Sequence, residues 1–244
     1  MNEQLAFTQL LNKLFAGPAN ALLGALHVPA ADPAAPIDNS FSMEFLVFLF
    51  LIATFVLIRS RLSVESPGGL QHLTEMTHEF VSGQVHDIIG HGGETFVPYL
   101  TALFVFILFA NLIGLVPGFE SPTQELGVPL GCALVTFAYY HLHGLRKQGL
   151  FGYIKHFLGP VPVMAPLLFP IEIFSHLARV LSLTVRLYAN MFAGEMVTMV
   201  FFSLIPIGVP VVFLLLHLGV SLLQAYIFML LATIYVAGAV AEEH

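Results

Sequence analysis

An arginine that cannot shed its proton stands at position 186, in SLTVRLYANMFAGEMV. The apolar stretch around it runs from about Pro170 to Pro206, and its only other charges are Glu172, Arg179 and Glu195. A guanidinium near a bilayer centre costs about 2.5–3.5 kcal/mol on insertion scales, and an ion pathway or a carboxylate partner is what usually offsets that cost. The neighbouring polar residues are not scattered. At about 100° per residue, Glu172, Ser175, Arg179, Ser182 and Asn190 fall within about 40° of Arg186, and Glu195 falls on the opposite face. The next apolar run carries a second stripe, His217, Ser221 and Gln224. If the two runs form a hairpin with its tip at Pro206, Glu195 and His217 sit eleven residues either side of it, at one depth. Arg186 is then level with Gln224 to Tyr226. A buried glutamate and histidine at one level can exchange a proton, their ordinary pKa values being near 4.3 and 6.5. The chemistry these residues suit is proton movement.

Each feature also has a plainer reading. Glu195 and His217 can be a structural ion pair, Asn190 and Gln224 an interhelical hydrogen bond, and Ser175 and Ser182 can bond to their own helix. Arg179, two turns nearer the start of its stretch, suits a side chain that snorkels to the headgroups.

The composition points to a membrane. Hydrophobic residues make up 57% of the 244 and charged ones only 9%, with a mean hydropathy of +0.88, too little charge to solvate a globule of this size. The opening MNEQLAFTQL has an acidic residue and no basic region, so no cleavable signal peptide is expected. The single cysteine, Cys132, excludes an internal disulfide and any CxxC site. His72, His78, His86 and His91 lack the spacing of a helical metal pair, and His141-x-His143 suits an interfacial cap better than zinc. There is no phosphate-cradling loop, nucleophile elbow or basic patch. No metal, cofactor or nucleic acid is expected, and the chain should make no covalent bonds itself.

Those residues need long helices to hold them. The expected architecture is an all-α integral membrane protein, read as a single membrane domain over 1–244, with about five spans at 41–58, 96–116, 127–145, 170–205 and 208–241. Residues 5–26, broken by Gly17 and Pro18, are expected at the interface, within an outer N-terminal segment 1–40 that includes a Pro- and Ala-rich loop at 28–37. Segment 70–89 opposes Leu70, Leu73, Met76 and Phe80 to His72, Glu75, His78 and Asp87, an amphipathic surface helix. Residues 150–169, with three prolines, are expected at the interface or dipping into it. Arg59, Arg61, Arg146, Lys147 and Lys155 fall on one side of five spans and only Lys13 on the other, which puts the N-terminus outside and the AEEH tail in the cytoplasm. Some 35 residues in the fourth span make about 52 Å of helix against a core of about 30 Å. The last two spans are therefore expected to form a long oblique hairpin, shaped to lie across a neighbouring surface.

FPIEIFSHLARVLSLTVRLYANMFAGEM, followed by FLLLHLGVSLLQAYIFMLLATIYVAGAVAEEH, resembles the a-subunit family of F-type ATP synthases, and NLIGLVPG in the second span does so locally. The match is dense over the last 75 or so residues; the N-terminal third fits only in hydropathy. The resemblance implies a stator subunit, in a bacterial inner membrane, whose oblique hairpin lies against a rotating ring of c subunits, with the b-subunit peripheral stalk and the rest of the synthase as further partners. It implies that Arg186 faces the ring carboxylates and separates two proton half-channels. Asn190, Glu195, His217, Ser221 and Gln224 would serve the outer one. Glu172, Ser175, Ser182 and the adjacent His176 would serve the cytoplasmic one. Many relatives carry an acid three residues after the second-span asparagine, where this chain has Gly114 after Asn111; Glu195, His217, Glu120 or Glu125 are the residues left to do that work. The rival reading is a self-contained proton channel or secondary transporter, which would want an internal repeat or broken helices. A purely structural anchor does not explain the arginine.

Overall fold

The computed structural model describes residues 4–25, 27, 32–65, 68–116, 118–158, 165–204 and 208–240. All its regular elements are helical: α1 Ala6–Ala25, α2 Asn39–Ser60, α3 Gly69–Ile89, α4 Val97–Leu112, α5 Gly127–Leu158, α6 Ala165–Leu204 and α7 Val209–Val240. Short 3₁₀ turns at Gly93–Phe96, Ile113–Leu115 and Pro122–Gln124 surround α4. The expected hairpin tip at Pro206, the prolines of 159–164, part of the 28–37 loop and the AEEH tail lie outside the described residues.

Four described helices are long and apolar enough to cross a membrane: Asn39–Ser60, Gly93–Leu115, Ala165–Leu204 and Val211–Val240. The remaining expected span, the third at 127–145, is helical and packs against α6 and α7. It is more polar than the others, because Thr136, Tyr139, Tyr140, His141 and His143 interrupt its apolar run.

Three boundaries differ from expectation. Segment 5–26 does not break at Gly17–Pro18; α1 runs through Pro18. It is tied down instead at its flank, where the Asn12 side chain both donates to the Ile37 carbonyl and accepts from the Ile37 N–H, each at 2.9 Å. The third membrane helix does not stop at Arg146–Lys147. It continues to Leu158 across a break at Gly149, whose φ of 71° and ψ of 168° are open to glycine and costly for other residues. The fourth begins at Ala165 and carries Pro170 inside it. Position 170 is the sixth residue of the helix, just past the first turn, so its proline removes one backbone bond close to the helix start.

The core lies where α3, α4, α5, α6 and α7 converge. Val81, Val85, Leu100, Ile107, Leu187, Met191, Phe228, Met229 and Val236 are all buried there. Phe80 of α3 rests against Phe104 and Tyr226, and the Tyr226 hydroxyl donates to Gln84 at 3.0 Å, joining α3 to α7. On α3 the residues expected as an apolar stripe, Leu70, Leu73 and Met76, remain exposed.

The last two helices run antiparallel in a regular register. Arg179 lies 5.1 Å from the Tyr235 ring centroid. Eleven residues on, Asn190 donates to Gln224 at 2.9 Å, and eleven further Phe201 stacks on Phe213 with centroids 4.2 Å apart. Eleven residues is close to three helical turns, so one face of α6 meets one face of α7 throughout. At 40 residues, α6 is about 60 Å long, twice a bilayer core. Much of the hairpin surface is bare, with Leu181, Leu216 and Leu223 each at least 60% exposed.

Gly149 offers a clean check on the α5 break, because no atom lies near enough to obstruct a side chain there. Gly149→Val and Gly149→Asn should each lower stability by about 1–3 kcal/mol through backbone strain alone, because a φ of 71° with a ψ of 168° is a region that only glycine visits readily. Thermal unfolding of the detergent-solubilised protein reads both.

Candidate functional site

Arg186 is half-buried on α6, and its guanidinium donates to the Ser182 hydroxyl one turn earlier at 3.3 Å. Among the described residues no carboxylate lies within 4.0 Å of it. Ser182 thus serves the arginine and not merely its own helix. The hairpin register sets Arg186 opposite Phe228, four residues down each helix from the Asn190–Gln224 bond, two residues beyond the expected Gln224–Tyr226 window. The α6 surface around it is made of small side chains: Ala178, Ser182, Ala189 and Ala193 are all exposed. A face of small residues lets another helix come close.

One side of Arg186 leads along Asn190 to α7. Gln224 is 2% exposed and its Nε2 meets no acceptor; His217 is 5% exposed and its Nε2 is likewise unpartnered. Ser221, fully buried between them, points its hydroxyl at the Met191 sulfur. Two orphaned polar nitrogens on one buried stripe are a combination native interiors avoid unless water or an ion supplies the missing partner. The stripe is further joined to α4, where Asn111 donates to the Ser221 carbonyl at 3.3 Å and accepts from Thr123 at 2.7 Å.

His217 and Glu195 do come to nearly one level. The His217 ring packs on Gly194, where a Cβ would lie 3.0 Å from its Nδ1, and hydrogen-bonds the Gly194 backbone. Yet the two side chains do not pair: no ion pair within 4.0 Å joins them among the described residues. The reason is the helix face. Glu195 points away from the Arg186 stripe, toward the Pro122–Gln124 turn; with the Gln124 amide assigned so that its nitrogen faces the carboxylate, both Glu195 oxygens accept from it, the Oε1 contact being 3.1 Å. The glutamate and the histidine are therefore placed separately, with Gln124 beside one and Gly194 beside the other.

The other side of Arg186 ends in a cluster of aromatic and ionisable groups. His176 is buried, with Nε2 3.3 Å from Glu172 and Nδ1 2.7 Å from the Tyr140 hydroxyl. The Tyr153 hydroxyl reaches back across the Gly149 break to His141, whose ring lies 4.8 Å from that of His176. Arg179 lies over the Tyr235 ring. Ser175 lies on this same side, half-buried. Tyr140, Tyr153, Tyr235, Thr123 and Gln124 were not among the residues singled out from the sequence. Tyrosines in an apolar helix read as packing, and TQE in a short turn has no periodicity to betray its aim. No group of three or more metal-ligating side chains occurs among the described residues.

Comparison with known proteins follows the same lines. A model of the family described as ATP synthase A chain matches residues 41–237. ATP synthase subunit a of Koribacter versatilis is 58% identical over 244 residues, covering all of both chains. That of Solibacter usitatus is 51% identical over 235 residues, 96% of this chain and 100% of its own. That of Geotalea uraniireducens is 41% identical over 227 residues, 91% and 94% respectively.

Glu125, at the end of the turn, gives a pH test outside the membrane helices. Burial first, then Asp38 and Glu120, pushes its carboxyl above the ordinary 4.5. A raised folded pKa means the folded chain holds that proton more tightly than the unfolded one, so stability from this group is present in acid and lost as pH rises through the folded value. Glu125→Gln should therefore be at least as stable as the parent at pH 7, with the advantage vanishing below about pH 4.5. Thermal unfolding at the two pH values measures this.

Proposed function

This chain belongs to the ATP synthase A chain family, and on that premise we propose that it is the proton-translocating stator subunit of the membrane sector of an F-type ATP synthase. It sits in a bacterial inner membrane with its N-terminus outside and its C-terminus in the cytoplasm. The α6–α7 hairpin lies against a ring of c subunits, and the b-subunit peripheral stalk holds the chain to the rest of the synthase. The observation that carries this reading is Arg186: a permanent cation at membrane depth with no carboxylate of its own chain within reach among the described residues. Its counter-charge must come from outside, and a ring of passing carboxylates is such a source.

The mechanism follows from where the polar groups stand. A proton enters by Glu195, His217, Ser221, Gln224 and Asn190 and neutralises a ring carboxylate on one flank of Arg186. The neutral carboxyl can leave the arginine and travel through lipid, because its desolvation cost has collapsed. On completing the circuit it reaches the other flank, where Ser182, Ser175, His176 and Glu172 lead the proton to the cytoplasm. The ionised carboxylate is then drawn back to Arg186. The arginine also blocks a direct proton leak, since a fixed cation between the two routes repels a positive charge at every point of the short cut. The orphaned nitrogens of His217 and Gln224 support a hydrated outer route. Each charge crossing 100 mV releases about 2.3 kcal/mol, so several must pass for each ATP made elsewhere in the complex. On this reading the subunit alone is not an enzyme.

Arg186→Ala should abolish proton-driven ATP synthesis while the complex still assembles. Arg186→Lys should fail as well, because a compact, strongly hydrated and titratable ammonium does not substitute for a guanidinium. Synthesis in inverted membrane vesicles, with subunit content measured on the same vesicles, checks both; normal synthesis in either variant refutes the role.

A further inference from the structure

We propose that Gln124 is a positioning residue for the Glu195 carboxyl, held in place by a rigid turn that closes the mouth of the outer route. This rests on the reading of Glu195 as a proton carrier given above.

The turn is built to stay still. Ser121, Thr123 and Asn111 are at most 1% exposed. Ser121 donates to the Ala110 carbonyl at 2.9 Å and lies 2.8 Å from the Thr123 hydroxyl, which in turn donates to Asn111 at 2.7 Å. Ser40 of α2 donates to the Pro122 carbonyl at 3.4 Å. A short segment with its polar groups satisfied by α2, α4 and itself, and Asn111 passing the connection to α7, is a fixed platform and not a free loop.

The platform also decides who reaches Glu195. At Gly114, in the 3₁₀ turn that follows α4, an added Cβ would lie 2.8 Å from the Ser121 Cβ and 3.1 Å from its backbone nitrogen. No side chain can project from Gly114 while the turn is seated. The space is taken by Ser121, and three residues later the turn delivers Gln124 to Glu195. The charged group facing that carboxyl is Glu120 from the same loop, with Asp38 and Glu125 clustered behind it; the His217 ring on α7 lies at nearly the same level without pairing with it. Into this acidic surrounding the chain places a neutral donor. An arginine or lysine would hold Glu195 permanently ionised; an amide fixes the carboxyl's position, cannot titrate, and leaves the proton free to come and go.

The test uses the whole synthase in proteoliposomes, with the pH set separately on each side and ATP synthesis driven by an acid–base jump. Gln124→Leu keeps the bulk and removes the amide; it should slow synthesis about ten-fold. The loss should vary with pH on the Glu195 side and be indifferent to pH on the other. Gln124→Glu, matched in size, sets two carboxyls to share one proton and should give the same one-sided dependence, so the proposal can be read even if the leucine variant assembles poorly. Unchanged synthesis in both, or a loss equal at every pH on both sides, overturns it. Glu195→Gln measured alongside separates the two levels. If that variant is harmless, the reading of Glu195 has failed and the inference with it. If it is inactive while both Gln124 variants behave as the parent, only the inference is lost.

Discussion

The molecule is organised around a cation that no carboxylate among the described residues neutralises. Arg186 donates to a serine hydroxyl one turn away and otherwise faces small side chains. A serine oxygen is a weak counterpart for a full charge, and the surrounding medium screens poorly, so the guanidinium retains a strong attraction for any carboxylate that approaches. That residual attraction is the property the rest of the structure preserves. The acids of α6 are each engaged elsewhere, Glu172 by His176 and Glu195 by Gln124. Had either turned toward Arg186, the charge would have been cancelled internally.

The polar groups are divided accordingly. One set lies between Arg186 and the α4–α5 turn, where the contacts are amides, hydroxyls and one histidine with an open nitrogen. The other lies toward the start of α6 and is closed by aromatic hydroxyls and histidines from α5. The two differ in chemistry as well as position. The first leaves buried nitrogens for water to serve, whereas the second pairs His176 on both of its ring nitrogens.

Much of this was legible in the sequence, because helices in membranes announce themselves through long apolar runs and because a wheel of α6 sorts its polar residues correctly. Arg186, Ser182, Asn190 and Gln224 fall on connected faces as the periodicity predicts, and Glu195 falls on the other side. What periodicity cannot give is the partner of a side chain that leaves its helix. Glu195 and His217 share a level without meeting, since level is a property of register and contact a property of azimuth. The Ser121–Gln124 turn was invisible for a different reason: its significance lies in three tertiary hydrogen bonds and a crowded glycine, none of which leaves a local signature. The contact of Arg179 with Tyr235 was invisible in the sequence because it depends on what α7 offers at that level.

The eleven-residue recurrence in the hairpin has a mechanical consequence. Arg179 on Tyr235, Asn190 on Gln224 and Phe201 on Phe213 are ties of three different kinds, spaced three turns apart along the same seam. Sliding α6 past α7 by a single residue would rotate all of them out of alignment together, so a tangential load applied anywhere on the pair is opposed along its whole length. On the stator reading proposed above, shear stiffness of that sort would pass a load at the guanidinium into the body of the subunit instead of dissipating it as slip.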